Sequence, residues 1–217
     1  MKTAIILGST GLTGQELLKQ LLDDIGYSRI IVLNRSKKAP EHPKLTEIIT
    51  DFKSTVDLSS FEKIDTVFSC LGTTRKKTPD LEAYREIEVG IPYRTAEEAL
   101  KKGLNSFHFI SSIGANSNSS NFYQKIKGEA ENSLQSLKIP RLYIYQPGML
   151  RGDRKEFRFL EKLAVPLVIL ADLFLRGRAA KYHSVHVKDL AQSMIRNDKK
   201  AKESGTQYVF YSNFIGH

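Results

Sequence analysis

Apolar and polar positions fall into alternating blocks over the first two-thirds of the chain. Short, nearly unbroken apolar runs cover Thr3 to Leu7, Arg29 to Leu33, Leu45 to Thr50, Asp65 to Cys70, Ser106 to Ile110 and Arg141 to Tyr145, and read as strands. Between them, apolar residues at helical spacing cover Leu12 to Ile25, Leu81 to Lys102 and Tyr123 to Leu137, with Gly103 as the stop of the second. Strands that alternate with helices imply right-handed crossovers and a parallel, doubly wound sheet covered by helices on both faces. The last third is less regular. Glu156 to Arg176 reads as an apolar helix broken near Pro166, His183 to Val187 as a short strand, Lys188 to Asn197 as a helix and Thr206 to Tyr211 as a last strand. A single α/β domain over residues 1–217 is expected, with the segment from about residue 148 onward capping the substrate side of the sheet.

Composition narrows the setting. The chain has 217 residues and a single Cys, so no intramolecular disulfide can form and nothing points to an oxidising compartment. The longest apolar run, Leu163 to Leu175, is interrupted by Pro166 and Asp172 and is too short to span a bilayer. It is read as a helix lining a substrate pocket rather than as a dimer or membrane surface. With the first strand starting by Thr3, no signal peptide is expected, and the chain is read as cytoplasmic, a monomer or homodimer.

The turn after the first strand carries the most chemistry. In Gly8-Ser9-Thr10-Gly11-Leu12-Thr13-Gly14, three glycines recur between a strand and a helix start. The first permits a tight turn, the second lets backbone approach a pyrophosphate, and the third lets helix and strand pack closely. Free N–H groups at the helix start favour the anion. The lack of a following Gly-Lys-Ser/Thr excludes a nucleotide-triphosphate P-loop. All seven residues are candidate cofactor contacts in a Rossmann-like fold. The second strand ends in Asn34-Arg35-Ser36 with no carboxylate to bind the ribose hydroxyls of NAD. Arg35 can grip a 2′-phosphate, so NADP(H) is expected. Asp51, with Phe52 beside it, follows the third strand as an adenine neighbour.

Ser111 and Ser112 end the fifth strand, and Tyr123 and Lys127 open the next helix four residues apart, on one face. This is the only Tyr-x-x-x-Lys in the chain. A Lys ammonium favours the phenolate of a neighbouring Tyr, whose free pKa is about 10, and so brings proton exchange nearer neutral pH. A Ser hydroxyl can hold the substrate oxygen meanwhile. Cys70 has no visible base partner and reads as a buried thiol near the cofactor. His183 and His186 point to opposite faces of a short strand, so no metal site is expected.

These motifs together resemble the short-chain dehydrogenase/reductase superfamily. More narrowly, Cys70-Leu71-Gly72-Thr73-Thr74-Arg75, Ser111-Ser112-x-Gly114-Ala115 and Gln146-Pro147-Gly148 resemble its atypical Tat-interacting oxidoreductase-like group, which includes chains labelled nucleoside-diphosphate-sugar epimerases. The resemblance implies NADP(H) and a catalytic set of Ser112, Tyr123 and Lys127, with Ser111 as the alternate serine. It implies that Cys70, Leu71, Gly72, Thr73 and Thr74 line the cofactor, that Pro147 and Gly148 lie near the nicotinamide, and that Lys127 also holds a ribose. The chain is shorter than the sugar epimerases, so a reductase acting on a small carbonyl or alcohol is expected instead. The alternative is a non-catalytic NADP(H) sensor acting through a protein partner.

The net charge of +9 invites a nucleic-acid reading. No helix-turn-helix, zinc or aromatic-basic motif accompanies it, so nucleic acid is not an expected partner. The cations cluster after strands: Arg35, Lys37 and Lys38; Arg75, Lys76 and Lys77; Arg151, Arg154, Lys155 and Arg158. Loops after parallel strands share one rim, so the charge is expected around the ligand crevice, where it suits an anionic cofactor and an anionic substrate.

Overall fold

The computed structural model describes residues 1–152, 183–200 and 204–214. Its strands are β1 (Lys2–Leu7), β2 (Tyr27–Asn34), β3 (Leu45–Ile49), β4 (Thr66–Ser69), β5 (Ser106–Ile110), β6 (Arg141–Tyr145), β7 (Leu150–Arg151), β8 (Val185–His186) and β9 (Gly205–Val209). Its helices are α1 (Leu12–Asp23), α2 (Leu81–Arg85), α3 (Ile91–Lys101), α4 (Phe122–Ser136), α5 (Val187–Lys199) and α6 (Tyr211–Phe214), and a π-helical turn, Glu86–Gly90, joins α2 to α3. The main sheet has seven parallel strands in the order β3-β2-β1-β4-β5-β6-β9. This is the doubly wound, Rossmann-like architecture expected. From β1 the chain runs outward through β2 and β3, then returns to β4 on the other side of β1. That reversal opens a crevice beyond the C-terminal ends of β1 and β4.

The apolar runs are unbroken because the strands are buried on both faces. Ile5, Leu7, Val67, Phe107 and Phe109 face a layer carrying Ala96 and Ala99 of α3 with Ala130 and Leu134 of α4. Their neighbours Ala4, Ile6, Val32 and Phe68 face Leu17 and Leu21 of α1 with Leu190 and Met194 of α5. The side-chain period of two sends successive residues to opposite layers.

The long helical stretch after residue 81 is one continuous rod interrupted by the π turn. Its buried positions Tyr84, Glu88, Ile91, Thr95 and Ala99 keep a helical period. The described part of the C-terminal third is built into the sheet: β9 pairs with β6, and α5 packs on α1. The expected helix Glu156 to Arg176, its apolar run, and Arg154, Lys155 and Arg158 lie outside the described residues. His183 stacks on Tyr211 at 4.6 Å, and the ring of His186 caps α5 by accepting from the Lys188 N–H.

A polar cluster fastens the other end of the sheet. The buried Asp198 of α5 accepts from Lys2 (2.8 Å), Tyr27 (2.6 Å), Thr66 (2.8 Å) and Ser106, the first residues of β1, β2, β4 and β5. His108 lies 3.6 Å from the same carboxylate, stacked on Tyr143 and hydrogen-bonded to the Tyr145 hydroxyl at 2.9 Å.

Candidate active site

The glycine turn has the shape a phosphate cradle needs. Gly8 has φ +77°, and a β-carbon there would lie 2.8 Å from the Cys70 carbonyl at the end of β4. A β-carbon on Gly14 would lie 2.1 Å from the Gly8 oxygen, so only glycine lets α1 start this close to β1. No side chain caps the N-terminus of α1, and its first turn holds no acidic residue. Its N–H groups and dipole therefore face the crevice unsatisfied by a cap. Ser9 and Thr13 are buried; Thr10 is exposed, and Leu12 lies beside Gly152.

At the end of β2, Asn34 is buried. Its Oδ1 accepts from Ser9 (2.9 Å) and its Nδ2 donates to Glu47 of β3 (2.6 Å). The same Glu47 oxygen accepts the N–H groups of Lys38 (2.9 Å) and Ala39 (3.0 Å). These donors hold the carboxyl below the usual carboxylate range, the Asn34 bond foremost. A carboxylate absent from the β2 sequence is thus supplied by the next strand, where it shapes the loop presenting Arg35. Arg35 is exposed and makes no ion pair or hydrogen bond among the described residues. It lines a cleft of about 380 Å³ with Thr10, Asn34, Ser36 and Lys38. Asp51 is exposed and accepts the Lys53 N–H (2.9 Å). Phe52, at φ +61°, turns its ring into the core instead of the crevice.

Beyond β4, Cys70 packs against the core, and burial pushes its thiol up to about 12. It is no thiolate at neutral pH. Leu71 packs on the opposite core layer, while Gly72 and Thr74 are exposed. The Thr73 N–H donates to Glu88 Oε1 at 2.9 Å, and its hydroxyl lies 2.8 Å from that of Thr78. Arg75 lies over the Phe122 ring at 5.0 Å, beside Tyr123.

The serine pair divides cleanly. Ser111 Oγ donates to the buried Glu131, which also accepts from Gln146 at 2.9 Å. Burial pushes the Glu131 carboxyl up, against the pull of those donors. Ser112 is buried as well, yet its Oγ has no hydrogen-bond partner among the described residues. A buried hydroxyl left unpaired is costly unless a ligand completes it. Pro147 is buried and accepts the Ile113 N–H at 3.1 Å, placing Gly148 beside the serines.

Tyr123 is exposed and makes no hydrogen bond among the described residues. Lys127, one turn on, is buried. Its ammonium donates to the Ile110 carbonyl (2.9 Å), pairs with Glu88 Oε2 (2.8 Å) and lies 5.0 Å from the centre of the Phe109 ring. The expected free ammonium is therefore already engaged. The Asn- and Ser-rich loop from Asn116 to Asn121, whose composition suits a flexible segment, is held against α4: a β-carbon on Gly128 would lie 2.2 Å from the Ser117 nitrogen, and Asn132 donates to Ser117 at 3.0 Å.

Glu47, Glu88 and Glu131 are the groups that reading the sequence missed. Glu88 had a signal: a carboxylate on the buried face of a predicted helix. Glu47 had none, since only strand pairing brings it to Asn34.

Fold and crevice together define a Rossmann-type dinucleotide-binding protein. A family model described as NAD(P)H-binding matches residues 8–162, and the chain belongs to that family, within the atypical short-chain dehydrogenase/reductase group. It is 29% identical over 224 residues to "Protein FMP52-1, mitochondrial" of Scheffersomyces stipitis, covering 95% of this chain and 92% of that one. It is 34% identical to "Protein HTATIP2" of Rattus norvegicus over 75% of this chain and 69% of that one. Among solved structures, "MoeE5 in complex with UDP-glucuronic acid and NAD" superposes with a TM-score of 0.69 at 17% identity, over 96% of this chain and 76% of that chain.

The expectation of a cytoplasmic protein is corrected by these relatives, whose FMP52 members are named mitochondrial. That expectation rested on a single Cys and on apolar runs too short to span a bilayer, features that do not tell one reducing compartment from another. No helix among the described residues is long and apolar enough to cross a membrane.

Proposed function

We propose that this chain is an NADP(H)-dependent oxidoreductase that moves hydride between nicotinamide and a small carbonyl or alcohol. The observation that carries it is the Ser112 hydroxyl, buried and without a hydrogen-bond partner among the described residues, just beyond the end of β5 in the sheet whose β1 leads into the glycine cradle. The cradle fits a dinucleotide because its glycines let β1, the end of β4 and the start of α1 pack closely, with the N-terminus of α1 left uncapped by any side chain. When bound, the dinucleotide supplies the hydride donor or acceptor. The protein's groups do the rest. Ser112 donates to the substrate oxygen and holds it. Tyr123 exchanges a proton with that oxygen. Lys127 keeps one N–H for a ribose hydroxyl beyond the two engaged by Ile110 and Glu88. Gly72, Thr73 and Thr74 line the cofactor on one side, and Pro147 and Gly148 on the other.

NADP(H) is favoured over NAD(H) because Arg35 stands unpaired in a basic cleft with no free carboxylate beside it. NADPH should bind at least about tenfold more tightly than NADH, roughly 1.4 kcal/mol for a charge-assisted phosphate contact. Arg35→Asp should narrow or reverse that ratio. Fluorescence titration with both dinucleotides decides it, and equal affinities in the unmodified protein would overturn the NADP(H) assignment.

The serines give a second expectation. Ser112→Ala should lose activity with its melting temperature nearly unchanged, since its hydroxyl bonds nothing among the described residues. Ser111→Ala should instead lose stability, about 1–3 kcal/mol, because the buried Glu131 forfeits a donor. The opposite pattern would make Ser111 the working residue.

A further inference from the structure

We propose that Glu88 is a positioning residue that balances the charge of Lys127, keeping Tyr123 a proton donor and setting the site to reduce carbonyls rather than oxidise alcohols at neutral pH. This rests on the reading of Tyr123 and Lys127 as the reacting pair. An ammonium beside a phenol draws off its proton because the phenolate is stabilised by the positive charge. Here that ammonium does not stand alone. Glu88 Oε2 lies 2.8 Å from Lys127 Nζ, with the two side chains only 1% and 4% exposed. Such a pair acts on a third group as a dipole, and its pull on the phenol is far weaker than that of a bare cation.

Glu88 is aimed by its backbone and by a second bond. It sits in the π turn Glu86–Gly90, and its other oxygen accepts the Thr73 N–H at 2.9 Å. A single carboxylate so ties the loop after β4 to the lysine of α4. Insertion of a π turn rotates the helix that follows, and such turns recur at functional sites. Burial pulls the Lys127 ammonium toward neutrality, and Glu88 leads the interactions that outweigh it and keep the lysine charged.

The remaining charged and titratable neighbours do not undo the balance. Glu131 and Tyr123 of α4 act on Lys127, and Glu131 is bound by Ser111 and Gln146, with Tyr208 of β9 beside it. Tyr84 of α2 lies within the field of Tyr123, Glu88 and Arg75. Glu86 of the same turn is taken up by Arg94 of α3, and Glu129 of α4 by Arg85 of α2. Glu88 is the one carboxylate in direct contact with the ammonium among the described residues. In the reduction, the carbonyl carbon gains hydride from bound NADPH, its oxygen takes the Tyr123 proton, and water returns a proton to the phenolate.

The test is the titration of Tyr123, followed by NMR of 13C-labelled tyrosine and assigned with Tyr123→Phe, in the full chain. Glu88→Gln should move that titration to lower pH by about one unit or more. With a reducible carbonyl, Glu88→Gln should shift the pH profile of NADPH oxidation in the acid direction by the same amount. Should Glu88→Gln fail to fold, Glu88→Asp draws the carboxylate back by one methylene and should give a smaller shift of the same sign. No shift in Glu88→Gln, or a shift toward higher pH, overturns the proposal. If carbonyls are reduced but Tyr123 does not move, Glu88 alone is misassigned. If Tyr123 moves but the unmodified protein reduces no carbonyl, the oxidoreductase reading fails, and with it the direction assigned here.

Discussion

Under the proposed reductase reading, Tyr123→Phe should remove NADPH-dependent carbonyl reduction, by about 10²–10⁴-fold, and leave NADPH affinity within about a factor of two. The range is that of a lost general acid. Only the phenolic proton goes; the ring stays, and the hydroxyl bonds nothing among the described residues, so neither fold nor cradle changes. Lys127→Ala is the harsher substitution. It leaves Glu88 as a buried carboxylate without its counter-charge, a defect worth about 3–5 kcal/mol, and would also remove the proposed ribose contact. Stability, cofactor affinity and turnover should fall together. Steady-state oxidation of NADPH beside a binding titration separates the two variants. A fully active Tyr123→Phe enzyme would make Tyr123 a surface residue and Lys127 a structural partner of Glu88 and nothing more.

Asp198→Ala, at the opposite end of the sheet, destabilises the protein by about 3–5 kcal/mol without touching the crevice. One carboxylate there serves Lys2, Tyr27, Thr66 and Ser106, and its loss strands a partly buried ammonium and three hydroxyls. For a chain of this size that is roughly a 10 °C fall in melting temperature. The pH dependence follows from two depressed groups. Burial works against the Asp198 charge, but His108, Lys2 and Ser106 outweigh it and hold the carboxyl below the usual range. Burial likewise holds His108 below its ordinary value, against the pull of Asp198. The folded state thus binds fewer protons than the unfolded chain. Both contributions are complete above the unfolded values, near 6.5 for His and 3.9 for Asp, and are lost as pH falls through the folded ones. Thermal melts of the unmodified protein should weaken steadily below about pH 6.5, and in Asp198→Ala the further loss below about pH 4 should flatten. A melting temperature in Asp198→Ala equal to the unmodified one would show that the cluster contributes nothing net.

The parallel sheet was legible because apolar runs and helical periods are local signals. Tyr27 to Asn34 and Ser106 to Ile110 read as strands from composition alone, to within two residues. The glycine turn was legible too, since close approach of Gly14 to Gly8 leaves a mark at a fixed spacing. Pairings between distant segments were not. Nothing near Lys127 in sequence announces Glu88, and nothing near Ser111 distinguishes its hydroxyl, bound to Glu131, from the unbound one of Ser112. Asn116 to Asn121 reads as a loose polar loop because its composition suits one, yet Gly128, about two helical turns further on, gives it a notch to sit in. Phe52 misled in the same way: adjacent to an exposed Asp51, it is turned inward by a left-handed backbone.

The central claim, that the crevice moves hydride rather than only sensing a dinucleotide, meets its most direct test in isotope transfer. NADPH bearing deuterium at the nicotinamide C4 is incubated with the protein and a pool of small aldehydes and ketones, and the products are read by mass spectrometry. The account predicts an alcohol carrying one deuterium on its carbinol carbon, formed by the unmodified protein and absent with Tyr123→Phe. NADPH that binds tightly and is returned unchanged from the whole pool, at the rate seen without protein, would contradict it and leave a sensor.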